Sequence, residues 1–139
     1  MTDRILLGFD GSDSAINALS FSVDLARAFG AELHVVAVTR PPEFADEVET
    51  RAIIDSSCRQ YERLLEAVRT RLAKETFNVQ LEVVVGHPAE QIVRYAEMNG
   101  VDHIVVGHRG HTPFDRWLIG SVARQVIAYA HCAVTVVRH

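Results

Sequence analysis

Five short runs of apolar and β-branched residues recur along the chain. They span 4–9, 32–38, 79–85, 101–107 and 133–138. Several of these runs show little alternation between apolar and polar positions, which is typical of strands that are covered on both faces of a sheet. We therefore predict five β-strands that build one sheet with two buried faces.

The segments between these runs carry apolar residues at three- and four-residue steps, the spacing of amphipathic helices. The first predicted stripe comprises Ala15, Leu19, Ser22, Val23, Ala26 and Phe29, and the second comprises Ile54, Cys58, Tyr61, Leu65, Val68 and Leu72. A third helix is predicted to begin near Pro88, and a fourth to span about 121–130 with Val122, Val126 and Ile127 facing inward. Ser12, Asp13 or Ser14 could cap the first helix, and the sequence does not decide between them.

Strands that alternate with helices predict a parallel sheet with right-handed crossovers and helices on both faces. A chain of 139 residues fits a single domain at 1–139 better than two domains. We predict a doubly wound α/β fold with the strand order 3-2-1-4-5. Ligands of such sheets bind at the carboxyl ends of the strands, where the winding direction reverses. The loops after strands 1 and 4 would then face one crevice.

Composition narrows the choice of partners and compartment. The formal net charge is -4 and no block of Lys or Arg stands out, so nucleic acid is not the expected partner. No apolar run is long enough for a signal peptide or a membrane span, which predicts a cytoplasmic protein without membrane attachment. Cys58 and Cys132 are far apart in sequence, and we expect both to be reduced thiols.

Several glycines lie in the segment that precedes the last helix. Gly107, Gly110 and the pair Gly120-Ser121 form the pattern G-x2-G-x9-G-S. Glycine lets a phosphate approach the backbone closely, and a helix N-terminus offers N–H groups and partial positive charge. Ser121 adds a hydroxyl donor. The pattern therefore indicates a phosphate site, while the alternative interpretation is that each glycine only makes a turn.

The whole chain, including this glycine pattern, resembles the universal stress protein family. The matching segments are "ILLGFDGS", "GHPAEQIVRYA", "VDHIVVGHRG", "IGSVARQVIAYAHC" and the terminal "VTVVR". The resemblance implies ATP binding, with Mg²⁺ or Mn²⁺ as a possible companion. It implies that Asp10 lies near the ribose or adenine and that Val38 meets adenine through its backbone. The residues it places around the phosphates and ribose are Gly107, His108, Arg109, Gly110, Gly120, Ser121 and Val122.

The segment between the second and third glycines departs from the family pattern. It carries Pro113 and Asp115, and a carboxylate near phosphates weakens binding unless it holds a metal or points outward. His87, His108 and His111 could suggest a metal site, but structural zinc sites show tighter clusters with cysteine. We therefore expect no metal ligand among these histidines.

Two further expectations concern chemistry and assembly. The sequence shows no evident general base, so we predict an ATP-binding stress-response or signalling module rather than an enzyme. A slow ATPase or phosphotransferase using the same pocket remains an alternative, as does a dimeric interaction module that does not bind ATP.

The last strand is apolar, ends the chain and lies at an edge of the predicted sheet. An exposed edge recruits another strand, and relatives often dimerise there, so we predict a homodimer through it.

Overall fold

The computed structural model describes residues 2–109 and 119–138. Its elements in chain order are β1 (Arg4–Gly8), α1 (Asp13–Phe29), β2 (Glu32–Thr39), α2 (Glu47–Arg71), β3 (Val79–Val85), α3 (Pro88–Met98), β4 (His103–Gly107), α4 (Ser121–Tyr129) and β5 (Ala133–Val137). The five strands and four helices that the sequence predicts are all present. The largest shift of a strand boundary is at the start of β4, predicted at 101 and found at His103.

All strand pairs are parallel, and the strands follow the order β3-β2-β1-β4-β5. This confirms the predicted order and the doubly wound fold. One buried cluster joins α1 and α2 to one face of the sheet, and a second joins α3 and α4 to the other. Because β1 is the central strand between these layers, its residues Ile5, Leu6 and Leu7 have no exposed surface.

Three expectations about burial are wrong. The edge strand β3 alternates between half-buried and exposed residues over most of its length, and Val85 is 43% exposed, so this run is not covered on both faces. Phe29 is exposed because it ends α1, where the chain turns at Gly30. Ile127 is also exposed, because the inward positions of α4 are Ala123 and Val126 and the next residue lies about 100° around the helix.

The structure also resolves the cap of α1 and the environment of α2. The Ser12 hydroxyl accepts the Ala15 N–H at 3.2 Å, so Ser12 is the N-cap. In α2 only the later positions of the predicted stripe are buried, namely Leu65, Val68 and Leu72. The earlier positions Ile54, Cys58 and Tyr61 are half-buried, so Cys58 is not a fully buried core residue.

A polar network ties the amino ends of the central strands to α3. Arg4 pairs with Glu32 at 2.8 Å and donates to the Asn99 carbonyl at 3.1 Å. Beside it, His34 is 7% exposed and its Nδ1 lies 2.7 Å from the Tyr95 hydroxyl. Among the described residues, His34 Nε2 has no hydrogen-bond partner, and Glu32 is 3.8 Å away. Burial therefore lowers the pKa of His34 below its ordinary value of 6.5.

This lowered pKa predicts a loss of stability in mild acid. Below about pH 6.5 the unfolded chain binds a proton at His34 that the folded protein does not, so the free energy of unfolding falls until the folded pKa is passed. One such group contributes a slope of at most about 1.4 kcal/mol per pH unit. His34→Asn should make the fall shallower in urea unfolding measured between pH 7.5 and pH 5.

The control is His131→Asn, because that side chain is 81% exposed. Burial also lowers the pKa of His103, so part of the acid slope should persist in the His34 variant. Equal slopes for the wild type and His34→Asn would contradict the assignment.

Candidate functional site

A cavity of about 350 Å³ opens at the carboxyl ends of β1, β2 and β4. It lies at the reversal point of the winding, between β1 and β4, as expected for a doubly wound sheet. Eight of the nine residues predicted for the site line this cavity, and Gly110 lies outside the described residues. The eight are Asp10, Val38, Gly107, His108, Arg109, Gly120, Ser121 and Val122.

Gly107 ends β4 where helix α1 crosses very close to the strand. A Cβ at this position would lie 2.8 Å from Ser14 Cβ, 2.9 Å from the Ser14 carbonyl carbon and 3.0 Å from its oxygen. Real Cβ atoms essentially never come within 3.0 Å of another heavy atom, and backbone atoms cannot rotate away. Packing of α1 against β4 therefore requires the first glycine of the pattern, whatever the cavity binds.

His108 connects four elements around the cavity. Its side chain is buried at 2% exposure, and Nδ1 lies 3.0 Å from the Ser14 hydroxyl of α1. Its N–H donates to the Val137 carbonyl of β5 at 2.9 Å, and its carbonyl accepts the Gly120 N–H at 2.6 Å. The imidazole thus contacts α1, while the backbone holds the segment that precedes α4.

The N-terminus of α4 faces the cavity. Its N-cap is Gly120, which makes no side-chain capping bond, and the first helical bond runs from the Arg124 N–H to the Gly120 carbonyl at 3.1 Å. The N–H groups of Ser121, Val122 and Ala123 precede that bond, and these three residues line the cavity. This end of the helix carries partial positive charge and suits an anion.

A carboxylate and a backbone edge lie on the other side of the cavity. Asp10 Oδ1 accepts the Ser12 N–H at 2.9 Å across a turn at Gly11, where φ is +78°. The Val36 carbonyl accepts the Phe9 N–H at 2.9 Å, so Val36 points its polar backbone groups toward β1. Val38 lies two residues further along β2, so its backbone groups point in the same direction as those of Val36. At this position β1 has already ended. The N–H and C=O of Val38 therefore face the cavity.

Sequence reasoning predicted Val38 of β2 but missed the contributions of Thr39 and of α2. Thr39, Ser57 and Tyr61 line the cavity, and the Thr39 and Ser57 hydroxyls hydrogen-bond to each other. Burial and the nearby charge of Asp10 raise the pKa of Tyr61. Tyr61 was assigned to the apolar stripe of its helix, and periodicity alone cannot show that one end of the stripe meets a cavity. The i, i+4 pair of hydroxyl residues on that stripe was the available signal.

Several sequence hypotheses fall outside the described residues. These are the hypotheses on His111, Pro113 and Asp115. In 2–109 and 119–138, no group of three or more His, Cys, Asp or Glu side chains is arranged to hold a metal ion. Within the same residues, no helix has both the length and the apolar character needed to cross a membrane.

Comparison with known proteins identifies the family. The model of the universal stress protein family matches residues 1–138. The chain belongs to this family. A universal stress protein of Methanocaldococcus jannaschii is 32% identical over 138 residues, which cover 97% of this chain and 81% of the relative.

Solved structures of the universal stress protein family share the fold. UspA from Lactobacillus plantarum superposes with a TM-score of 0.92 at 25% identity, covering 99% of this chain and 98% of that one. A universal stress protein in complex with cAMP has a TM-score of 0.73 at 25% identity, covering 97% and 96%. An Archaeoglobus fulgidus member in complex with dAMP has a TM-score of 0.70 at 25% identity, covering 99% and 100%.

The close approach at Gly107 predicts that Gly107→Ala destabilises the fold. The added Cβ meets the backbone of Ser14, so α1 or β4 must shift, at a cost of about 1–3 kcal/mol. Urea unfolding measures this cost. The matched control is Gly8→Ala, whose Cβ would come within 3.0 Å of the end of the Ile92 side chain alone, which can shift, and would meet no backbone atom among its three nearest neighbours. A loss at Gly107 no larger than that at Gly8 would refute the packing constraint.

Proposed function

We propose that the cavity binds an adenine nucleotide, with ATP as the expected ligand, and that the protein is a nucleotide-dependent stress-response or signalling module of the cytoplasm. The observation that carries this proposal is the N-terminus of α4. Ser121, Val122 and Ala123 line the cavity with N–H groups that precede the first helical bond. Such a helix end is suited to phosphate.

The remaining walls of the cavity are suited to the base and the ribose of a nucleotide. Val36, Val38 and Ile92 provide apolar surface for the flat base, and the backbone of Val38 offers a donor and an acceptor to its edge. Asp10 is suited to ribose hydroxyls or a base amino group, because a carboxylate only accepts hydrogen bonds. The complexes of related proteins with cAMP and dAMP support the same ligand class.

In this proposal the phosphates lie between the end of β4 and the start of α4. Gly107, His108 and Arg109 flank them on one side, and Gly120, Ser121 and Val122 on the other. Gly110 completes the predicted set. A bound Mg²⁺ or Mn²⁺ would be held chiefly by phosphate oxygens and water, so it needs few ligands from the protein.

Gly120→Val tests the phosphate position. Gly120 is buried in the wall of the cavity, and a branched side chain there would occupy the space proposed for phosphate oxygens. ATP affinity in calorimetry should fall at least about tenfold, equivalent to about 1.4 kcal/mol. Gly120→Ala should give a smaller loss in the same direction. Unchanged affinity in a folded Gly120→Val protein would argue against the proposed pocket.

We further propose that the protein forms a homodimer through β5. This strand pairs only with β4 among the described residues, so its outer edge lies at the end of the sheet. The Val137 carbonyl points toward β4 and accepts the His108 N–H. Because successive residues of a strand point their backbone groups to opposite sides, the N–H and C=O of Val136 point outward. Two copies related by a two-fold axis could satisfy these outward groups by antiparallel pairing.

Val136→Pro tests this dimer without disturbing the β4–β5 ladder. Proline removes an outward-facing N–H and disfavours pairing at the edge, whereas the N–H groups directed toward β4 are kept. Sedimentation velocity at micromolar concentration should show a shift from dimer to monomer. A wild-type monomer, or a dimer that persists in the variant, would exclude pairing through β5.

A further inference from the structure

The two sides of the cavity differ in chemistry. On the α3 side the lining is apolar and includes Val36, Pro88 and Ile92. On the α2 side it carries hydroxyl groups from Thr39, Ser57 and Tyr61, next to the carboxylate of Asp10. A flat base fits the first side, whereas the second offers hydrogen-bond donors and acceptors to a more polar part of the ligand.

The strand order places the sugar of a bound nucleotide next to this hydroxyl side. The end of β1, which carries Asp10, lies between the end of β2 and the end of β4. With the base at Val38 on β2 and the phosphates between β4 and α4, the ribose lies over the end of β1. Tyr61 on α2 lines the same cavity as Asp10, and burial, together with the charge of Asp10, raises the pKa of the Tyr61 hydroxyl.

The donors and acceptors on this side complement a sugar hydroxyl. Asp10 is an acceptor, and its Oδ1 already holds the Ser12 N–H. A tyrosine hydroxyl is protonated at neutral pH, and burial raises the pKa of Tyr61 further, so it can donate a hydrogen bond. A 2′-hydroxyl can donate to the carboxylate and accept from the phenol at the same time. In the Ser57–Thr39 pair, the hydroxyl that accepts keeps its own proton for a further bond.

Thr39 is only 2% exposed, so it serves mainly to orient Ser57, which is half-buried and lines the cavity. Tyr61 packs its ring against the core cluster of α1 and α2. Phenylalanine would provide the same packing, so the feature that tyrosine adds at this position is the hydroxyl group.

We propose that Tyr61 and the Ser57–Thr39 hydroxyl pair, together with Asp10, form a ribose-reading wall, so that the site selects ribonucleotides over 2′-deoxyribonucleotides. This inference rests on the proposed nucleotide site and adds to it the class of sugar and the residues of α2 that recognise it. A 2′-deoxyribose lacks the hydroxyl that these groups would bind, so a 2′-deoxyribonucleotide forgoes those hydrogen bonds in the half-buried pocket.

The test is calorimetric titration of the folded wild-type protein and its variants with ATP and dATP. The wild type should bind ATP at least about tenfold more tightly than dATP, as expected for a hydrogen bond to a charged group. Tyr61→Phe should lower this ratio several-fold while the melting temperature stays near that of the wild type. Ser57→Ala should lower it to a smaller extent.

The matched controls remove the same kind of hydroxyl group from residues that lie outside the cavity. Tyr129→Phe changes a tyrosine that is 68% exposed on α4, and Ser56→Ala changes the exposed neighbour of Ser57. Both should keep the wild-type ratio. A wild-type ratio near one, or a ratio that Tyr61→Phe leaves unchanged, would overturn the ribose-reading wall while ATP binding stands.

A parallel titration with GTP separates sugar recognition from base recognition. If Tyr61→Phe changes the ATP-to-GTP ratio and leaves the ATP-to-dATP ratio alone, α2 reads the base and the inference is wrong. If the wild type binds none of the three nucleotides, the proposed function itself fails. The two failures are therefore distinguishable in one set of experiments.

Discussion

The contact between Gly107 and Ser14 is the constraint on which the rest of the site depends. Without a Cβ at Gly107, α1 can lie directly against the carboxyl end of β4, where a methyl group would come within 3.0 Å of its backbone. This approach brings the Ser14 hydroxyl to the buried imidazole of His108. The His108 carbonyl in turn holds Gly120, which begins α4. Packing on one face of the sheet thereby positions a helix terminus on the other face.

The cavity formed in this way has opposite electrostatic character at its two ends. The start of α4 carries partial positive charge, whereas Asp10 at the end of β1 carries a full negative charge. An anionic group is attracted to the first end and repelled by the carboxylate at the second, which favours a ligand whose phosphate lies at the start of α4. The apolar surface of Val36 and Ile92 adds a place for a flat ring.

The features of the fold that could be predicted from the sequence are those that depend on local patterns and on the handedness of crossovers. The strands were found from their apolar runs, and their alternation with helices predicted a parallel sheet. The order 3-2-1-4-5 followed from taking strands 1 and 4 as neighbours at the point where the winding reverses, and the structure has this order. The predicted site residues came from the resemblance to the universal stress protein family, and eight of the nine line the cavity. The Ser57–Thr39 bond was missed because it joins side chains from two elements, and the exposure of Ile127 was missed because helix periodicity alone leaves the buried face uncertain by a residue.

The glycine pattern combines two different physical requirements. Gly107 is needed for the packing of α1, and this need does not depend on whether the cavity binds a ligand. Gly120 has an ordinary backbone conformation, with φ of -62°, and faces the cavity, so packing of that kind does not account for it. The spaced glycines are therefore a weaker indication of nucleotide binding than their number implies. The stronger indications are the start of α4, whose N-cap is a glycine with no side chain to cap it, and the hydroxyl groups that α2 contributes to the cavity wall.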